Sequence, residues 1–160
     1  MSLMDQRIAE LGLTLPPALV PPAGVQLPFA SVRVVGSLAY VAGHSPQAED
    51  GSIGGPLGKV GRDLDIEQGY LAARRTGLSI LASLRRALGD LDRIVAWGRV
   101  FGMVNAAPGF DRMPEVINGF SDLILEVFGP TVGAHARSAV GLAELPFGIP
   151  VEVEATVHLS

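Results

Sequence analysis

The spacing of apolar residues changes several times along the chain, and each change marks a predicted element. Apolar runs at 29–35 and 38–42 are separated by Gly36-Ser37, a two-residue turn signal, and they predict a first β-hairpin. At 151–157 apolar and polar residues alternate, which predicts a strand with one buried and one polar face. Both ends of the domain are therefore expected to be β-structure.

Two more strands are predicted in the second half of the chain. The segment 93–104 has β-branched and aromatic residues on both faces, as in a strand that is nearly covered on both sides. Gly98 and Gly102 within it indicate a bulge or the close approach of another backbone. The segment 138–145 is the other strand, and a turn over 146–150 connects it to the last strand.

Two long helices are predicted between these strands. Apolar residues recur at helical spacing in the first: Ile66, Tyr70, Ala73, Ile80 or Leu81, Leu84 and Leu88. Gly89 is expected to end it. A second apolar stripe consists of Ile117, Phe120, Ile124 and Val127. Pro114 fits the first turn of this second helix, and Gly129-Pro130 is expected to stop it.

The N-terminal part differs from the rest. Residues 5–13 could form a short amphipathic helix, and the proline-rich stretch 16–28 is expected to run extended across a surface. We therefore divide the chain into an N-terminal arm, residues 1–28, and a single domain, residues 29–160. The segment 44–61 lacks apolar periodicity and is predicted to be a long loop that could fold over a site.

The order of the elements after the arm is β-β-α-β-α-β-β. This order predicts an α+β domain in which both helices pack on one face of a mixed sheet. Two helices leave the other face uncovered, and we expect Trp97 and Phe101 to make that face apolar. Self-association through the uncovered face follows as an expectation.

Composition narrows the class of protein. The 160 residues are 48% hydrophobic and 18% charged, which is typical of a folded domain, and the absence of cysteine excludes disulfides and thiolate chemistry. A net charge of −4 is unfavourable for binding nucleic acid.

Residues 11–32 carry no charge, but their prolines exclude a membrane-spanning helix. Because no secretory signal is evident, we expect a cytoplasmic protein.

The chain matches common catalytic motifs only in part. The glycines at 54–58 have the wrong spacing for a phosphate loop, and 43–47 lacks a glycine of a nucleophile elbow. Glu152, Glu154 and His158 would share one strand face and could in principle bind a metal. A solvated polar face explains the same alternation better, and so we expect neither metal nor cofactor.

The most informative stretch is His135-Ala-Arg-Ser-Ala-Val-Gly-Leu-Ala-Glu-Leu-Pro146, followed by Val151-Glu-Val-Glu-Ala155. It resembles the signature of the Rid family of YjgF-type proteins, also labelled endoribonuclease L-PSP. These proteins are trimeric enamine and imine deaminases with a chorismate-mutase-like fold. The resemblance extends over roughly 29–157, and it implies a homotrimer with sites between subunits that hydrolyses 2-imino or 2-enamino acids to 2-oxo acids and ammonia.

The resemblance also implies site residues. Arg137 would anchor the substrate carboxylate, for which a planar guanidinium is suited, and Glu152 would orient water or carry a proton. Phe29, Gly43 and Asn118 fall at positions expected to line the substrate site. From spacing alone, Arg137 could instead be an exposed arginine paired with Glu152 or Glu154.

The chain departs from the family pattern at four positions. It has Phe29, Ala42, His135 and Ala139 where members often have Tyr, Ser, Pro and Cys. A non-catalytic ligand-binding trimer therefore remains an alternative. Two less favoured readings are a chorismate-mutase-like isomerase and an endoribonuclease. The only basic cluster, Arg74, Arg75, Arg85 and Arg86, has the spacing of a solvated helix face.

Overall fold

The computed structural model describes the whole chain, Met1 to Ser160, and its centre is a five-stranded sheet with the order β1-β2-β5-β3-β4. The strands are β1 (Val32–Val35), β2 (Leu38–His44), β3 (Ile94–Asn105), β4 (Ala136–Leu142) and β5 (Val151–Leu159). Neighbouring strands are antiparallel except β3 and β4, which are parallel. The predicted mixed sheet is confirmed.

The helices are α1 (Leu3–Glu10), α2 (Ile66–Leu88) and α3 (Met113–Val132). Asp65 and Gln68 form a capping box at the start of α2, and Gly89 ends it in the left-handed conformation, with φ of 77°. The predicted stop of α3 is only half right. Gly129, with φ of 75° and ψ of 176°, interrupts the regular helix, but the segment continues for a short turn to Val132.

Both α2 and α3 pack on the same face of the sheet, as predicted, and close contacts at glycine hold them there. A side chain at Gly119 would overlap the Tyr70 carbonyl of α2, so glycine lets the two helices approach each other. A Cβ at Gly102 of β3 would lie 2.7 Å from Ile117 of α3. The core between helices and sheet includes Phe120 and Val100, both fully buried.

The prediction that Trp97 lies on the uncovered face of the sheet is wrong. This residue is 3% exposed and faces α3, where its ring lies 5.8 Å from Phe120 and 5.6 Å from Phe128, measured between centroids. A register shift between Trp97 and Arg99 interrupts the alternation of β3, so that Trp97 and Val100 both face the helices. The uncovered face instead carries Phe101, together with polar groups from Arg99, Glu154 and Thr156.

The N-terminal arm is fastened to the domain. The Asp92 carboxylate accepts hydrogen bonds of 2.8 Å from the backbone N–H groups of Leu3 and Met4, which are otherwise unpaired at the start of α1. Further along, the Val20 N–H donates to the Gly51 carbonyl at 2.9 Å. The arm therefore lies against the long loop over 45–61. None of the helices combines the length and apolar character needed to cross a membrane.

Candidate functional site

A cavity of about 350 Å³ opens at the C-terminal end of β2, which we name the β2 cavity. The N-terminal arm forms one side and the turn Pro146–Gly148 forms part of the other. Phe29, Gly43 and Glu152 all line it, so the fold brings together three of the residues predicted for the site. The Phe29 side chain is exposed and offers no hydrogen bond, because it lacks the hydroxyl of tyrosine.

Glu152 is the acidic group of the β2 cavity. It lies on the polar face of β5, and its carboxyl group occupies the space where a Cβ at position 43 would be, so a larger residue there would displace the carboxyl group. Burial raises the pKa of the Glu152 carboxyl above its ordinary value, and the nearby Glu154 carboxylate raises it further. A carboxyl group of raised pKa can hold and release a proton closer to neutral pH than an exposed glutamate can.

His44 also lines the cavity, but both of its ring nitrogens are occupied. Nδ1 donates to the Ala42 carbonyl at 2.6 Å, and Nε2 lies 2.8 Å from the Ser83 hydroxyl of α2. Arg86 donates to the same hydroxyl at 2.9 Å. Burial lowers the pKa of His44, which favours the neutral ring. Glu152, whose carboxyl has no hydrogen-bond partner in the chain, is thus the group available to a substrate.

Arg137 lies on β4, on the far side of β3 from Glu152, in a polar cluster that we name the Arg137 cradle. Nη2 donates to Asn118 Oδ1 at 2.7 Å and to the Pro114 carbonyl at 3.1 Å, and Nη1 donates to Ser121 Oγ at 2.9 Å. His135 Nε2 lies 2.9 Å from the same Ser121 oxygen. The cradle thus consists of Pro114, Asn118, Ser121, His135 and Arg137.

Arg137 forms no ion pair within the cradle, where burial lowers its pKa and the charge of Asp122 acts in the opposite direction. All three acceptors are uncharged, and Arg137 makes no ion pair with Glu152 or Glu154 of its own chain, so the alternative of a surface arginine paired within one subunit is not seen. Asn118, which was predicted to line the substrate site, accepts a hydrogen bond from Arg137. Such an arginine is oriented in advance and still attracts a carboxylate.

Sequence reasoning missed Ser121 and His135 as partners of Arg137. A signal was present, because Pro114, Asn118 and Ser121 are four and three residues apart and therefore share one face of α3. Sequence reasoning also did not predict that Ser83 and residues of the N-terminal arm line the β2 cavity. No periodicity connects these residues, since only the tertiary fold brings the arm and α2 to β2.

The fold does not bring Arg137 and Glu152 together in one chain. Arg137 is level with Val100 of β3 and contacts α3, so it lies on the helix side of the sheet. Glu152 is level with Met103 and lies on the uncovered side, with the whole of β3 between them. One small molecule cannot touch both groups of the same chain.

Other candidate chemistry has less support. Glu152, Glu154 and His158 share a strand face, but the structure contains no group of three or more side chains that could hold a metal ion.

The arginines of the basic cluster on α2 form ion pairs or hydrogen bonds within the chain. Arg74 pairs with Glu126 at 2.7 Å, and Arg85 pairs with Asp5 at 3.3 Å. Arg75 donates to the Gly55 carbonyl at 2.8 Å, and Arg86 donates to Ser83.

The mixed sheet with helices on one face and the open cavity at its end define a chorismate-mutase-like α+β protein. A family described as "YjgF/chorismate_mutase-like, putative endoribonuclease" matches residues 5–149. The chain therefore belongs to this YjgF family, which confirms the resemblance to Rid and L-PSP proteins. The matched range includes residues 5–28 of the N-terminal arm.

Individual relatives agree with this assignment. "Protein TCP17" of Trypanosoma cruzi is 40% identical over 153 residues, which is 96% of this chain and 92% of that protein. The crystal structure of Atu1372 from Agrobacterium tumefaciens, a protein of unknown function, is 38% identical, with a TM-score of 0.86 and coverage of 99% and 93%. A "putative endoribonuclease" from Shewanella oneidensis is 29% identical, with a TM-score of 0.85 and coverage of 98% and 99%. YyfA of Yersinia pestis, from the Rid family, shares the fold, with 22% identity, a TM-score of 0.57 and coverage of 84% and 90%.

Proposed function

We propose that the protein hydrolyses 2-imino and 2-enamino acids to 2-oxo acids and ammonia at sites between the subunits of a homotrimer. Arg137 of one subunit binds the substrate carboxylate, and Glu152 of its neighbour carries the proton and positions water. The observation that carries this proposal is the separation of the two groups within one chain. Each has the chemistry of one half of the reaction, and neither forms an ion pair within its own subunit.

The proton steps follow from the state of Glu152. For an enamine, the protonated carboxyl gives its proton to the β-carbon, and the C=C bond becomes a C=N bond. The resulting carboxylate takes a proton from water while the water oxygen bonds to C2, which forms a carbinolamine. Glu152 then returns that proton to nitrogen, and the C–N bond breaks so that ammonia leaves. The hydroxyl on C2 gives its proton to the Glu152 carboxylate as the C=O bond forms, which restores the protonated acid. Apolar residues of the β2 cavity keep bulk water away from the reacting carbon.

Mixed trimers test whether the site is shared. In the variant Arg137→Ala every site lacks the anchor, and in Glu152→Gln every site lacks the acid. If each site takes Arg137 from one subunit and Glu152 from the next, every mixed trimer has one intact site of three. Coexpression of the two variants in equal amounts should then restore about a quarter of the wild-type kcat/KM. The substrate is 2-aminoacrylate generated in the assay, and ammonia release is measured above the spontaneous rate.

The matched control is coexpression of wild type with the double variant Arg137→Ala/Glu152→Gln in equal amounts. It should also retain about a quarter of the wild-type kcat/KM if the sites are shared, but about half if each site lies within one subunit. Mixtures of the single variants that are no more active than their parents would show that the two residues do not share a site between subunits. Sedimentation must give a trimer for every sample, and a monomer would contradict the proposed assembly.

A second candidate is a trimer that binds 2-oxo or 2-imino acids without turning them over. The observation that favours it is the lack of hydroxyl groups at Phe29 and Ala42, both of which line the β2 cavity. In that case 2-oxo acids would bind through Arg137, while ammonia release from 2-aminoacrylate would stay at the spontaneous rate. Calorimetry and the ammonia assay on the same sample separate the two functions.

A further inference from the structure

The β2 cavity has an apolar compartment next to Glu152. Leucine, valine and proline side chains of the N-terminal arm form one wall, and Phe147, Ile149 and Ile53 also line the cavity. The arm residues of this wall are Leu19, Pro21, Pro22, Val25 and Leu27. At about 350 Å³, the cavity lies at the lower end of the roughly 300–1,000 Å³ of small-molecule sites. It suits a small metabolite with an apolar portion.

The arm wall is held in position before any ligand arrives. Gln47, which is buried, donates from Nε2 to the Pro17 carbonyl at 3.1 Å. The Val20 N–H donates to Gly51, as described above, and Arg86 donates to the Pro16 carbonyl at 3.4 Å. The prolines further restrict the backbone of the arm. A wall held in this way can discriminate between ligands, because little ordering is needed when they bind.

Phe147 is a second, independent sign of an apolar ligand. Its φ of 58° lies in the left-handed region, which is unusual for an aromatic residue, and its side chain is 49% exposed. The backbone conformation is therefore unfavourable, and the ring gains little from burial within the chain. Strained residues of this kind are concentrated at binding sites. An apolar group in the cavity would cover the ring.

We propose that the compartment selects substrates by their side chain and favours 2-imino and 2-oxo acids with branched aliphatic or phenyl side chains over those with a methyl group. This inference rests on the proposed function, since it takes the carboxylate and the C2 atom to bind as described there. The side chain would extend from C2, beside Glu152, into the space between the arm and Phe147. The arm thus becomes the part of the chain that determines specificity.

Calorimetric titration with 2-oxo acids tests the inference without turnover. Each buried methylene strengthens binding about fourfold, so 4-methyl-2-oxopentanoate, with three more carbons than pyruvate, should bind about 60-fold more tightly. Phenylpyruvate should also bind more tightly than pyruvate. Equal affinities across the series, or no binding by any of these acids, would overturn the inference.

The variant Val25→Phe should narrow the compartment and remove most of the preference for the larger acids, while pyruvate affinity changes little. Val20→Phe is the matched control, because Val20 lies on the same arm, is exposed and does not line the cavity. A preference that survives Val25→Phe would show that the side chain binds elsewhere.

Failure of this inference differs from failure of the proposed function. Ammonia release from 2-aminoacrylate with no side-chain preference in binding would leave the proposed reaction intact and overturn the specificity. A 60-fold preference in binding with no ammonia release would support the compartment and contradict the deaminase. Circular dichroism on each variant excludes loss of folding as the cause.

Discussion

Glu152 of the β2 cavity and Arg137 of its cradle lie on opposite faces of the same sheet, and their surroundings suit different chemistry. The cavity is apolar and contains a carboxyl group without a partner, whose pKa is raised. The cradle is polar and orients a cation with neutral acceptors from α3. The first arrangement suits proton transfer and the second suits recognition of a negative charge. The cavity has no cation that could bind a carboxylate, and the cradle has no carboxyl group that could transfer a proton.

Three of the four departures from the family pattern lie in these two regions. Phe29 and Ala42 line the cavity, where they replace groups that often carry hydroxyls. His135 belongs to the cradle, where it adds a hydrogen-bonding group next to Ser121. The cavity has therefore become less polar while the cradle has gained a polar member. We expect this chain to differ from other members more in side-chain preference than in carboxylate binding.

The largest effect should come from the acid of the cavity. Glu152→Gln keeps the shape of the side chain but cannot exchange a proton, so kcat should fall by about a hundredfold. Glu154→Gln is the control, because Glu154 lies on the same strand face but outside the β2 cavity. Steady-state ammonia release measures both. If Glu154 proved essential and Glu152 dispensable, the assignment of the acid to this cavity would be wrong.

The next effect should come from the anchor of the cradle. Arg137→Ala removes charge-assisted hydrogen bonds worth about 1.5–3 kcal/mol, so KM should rise roughly 10- to 150-fold while kcat changes less. Arg112→Ala is the matched control, since Arg112 is an exposed arginine just before α3 whose partner is Glu115. A fall in kcat at constant KM would assign Arg137 to the chemical step instead.

A smaller effect is expected from the support of the anchor. Ser121→Ala removes a hydrogen bond to Arg137 and the contact with His135, and the loss of about 1 kcal/mol should raise KM about fivefold. Ser121→Thr keeps the hydroxyl and should restore most of the affinity. An unchanged KM in Ser121→Ala would show that Asn118 and Pro114 suffice to orient the guanidinium.

The smallest effect concerns stability against pH. The pKa of Glu152 is raised in the folded protein, so the folded state binds more protons than the unfolded state between the two pKa values, and stability falls as pH rises through this interval. His44, whose pKa is lowered, acts in the opposite direction and lowers stability as pH falls below 6.5. Melting temperatures from pH 4 to 8 should therefore show a flatter alkaline side in Glu152→Gln. An identical slope in that variant would contradict the burial of the carboxyl.

The secondary structure was largely predictable because its signals are local. The apolar period of α2, its glycine end and the alternation of β5 depend only on neighbouring residues, and the structure confirms all three. The prediction for Trp97 failed because the bulge next to it depends on pairing with β5, which adjacent residues do not reveal. The predicted end of α3 at Gly129-Pro130 was only partly right, because a short helical turn continues after the break at Gly129.

The sequence by itself determined the elements, their order and the family, since each depends on periodicity or on a contiguous motif such as the stretch from His135 to Pro146. Only the tertiary structure decided which residues share a site. The register of β3 with its neighbours directs Arg137 and Glu152 to opposite faces, and a shift of one residue would exchange those faces. The arm reaches the cavity through contacts with a loop some thirty residues away, such as the hydrogen bond from Gln47 to Pro17. Contacts at such separations depend on how the whole chain packs, so local sequence cannot encode them.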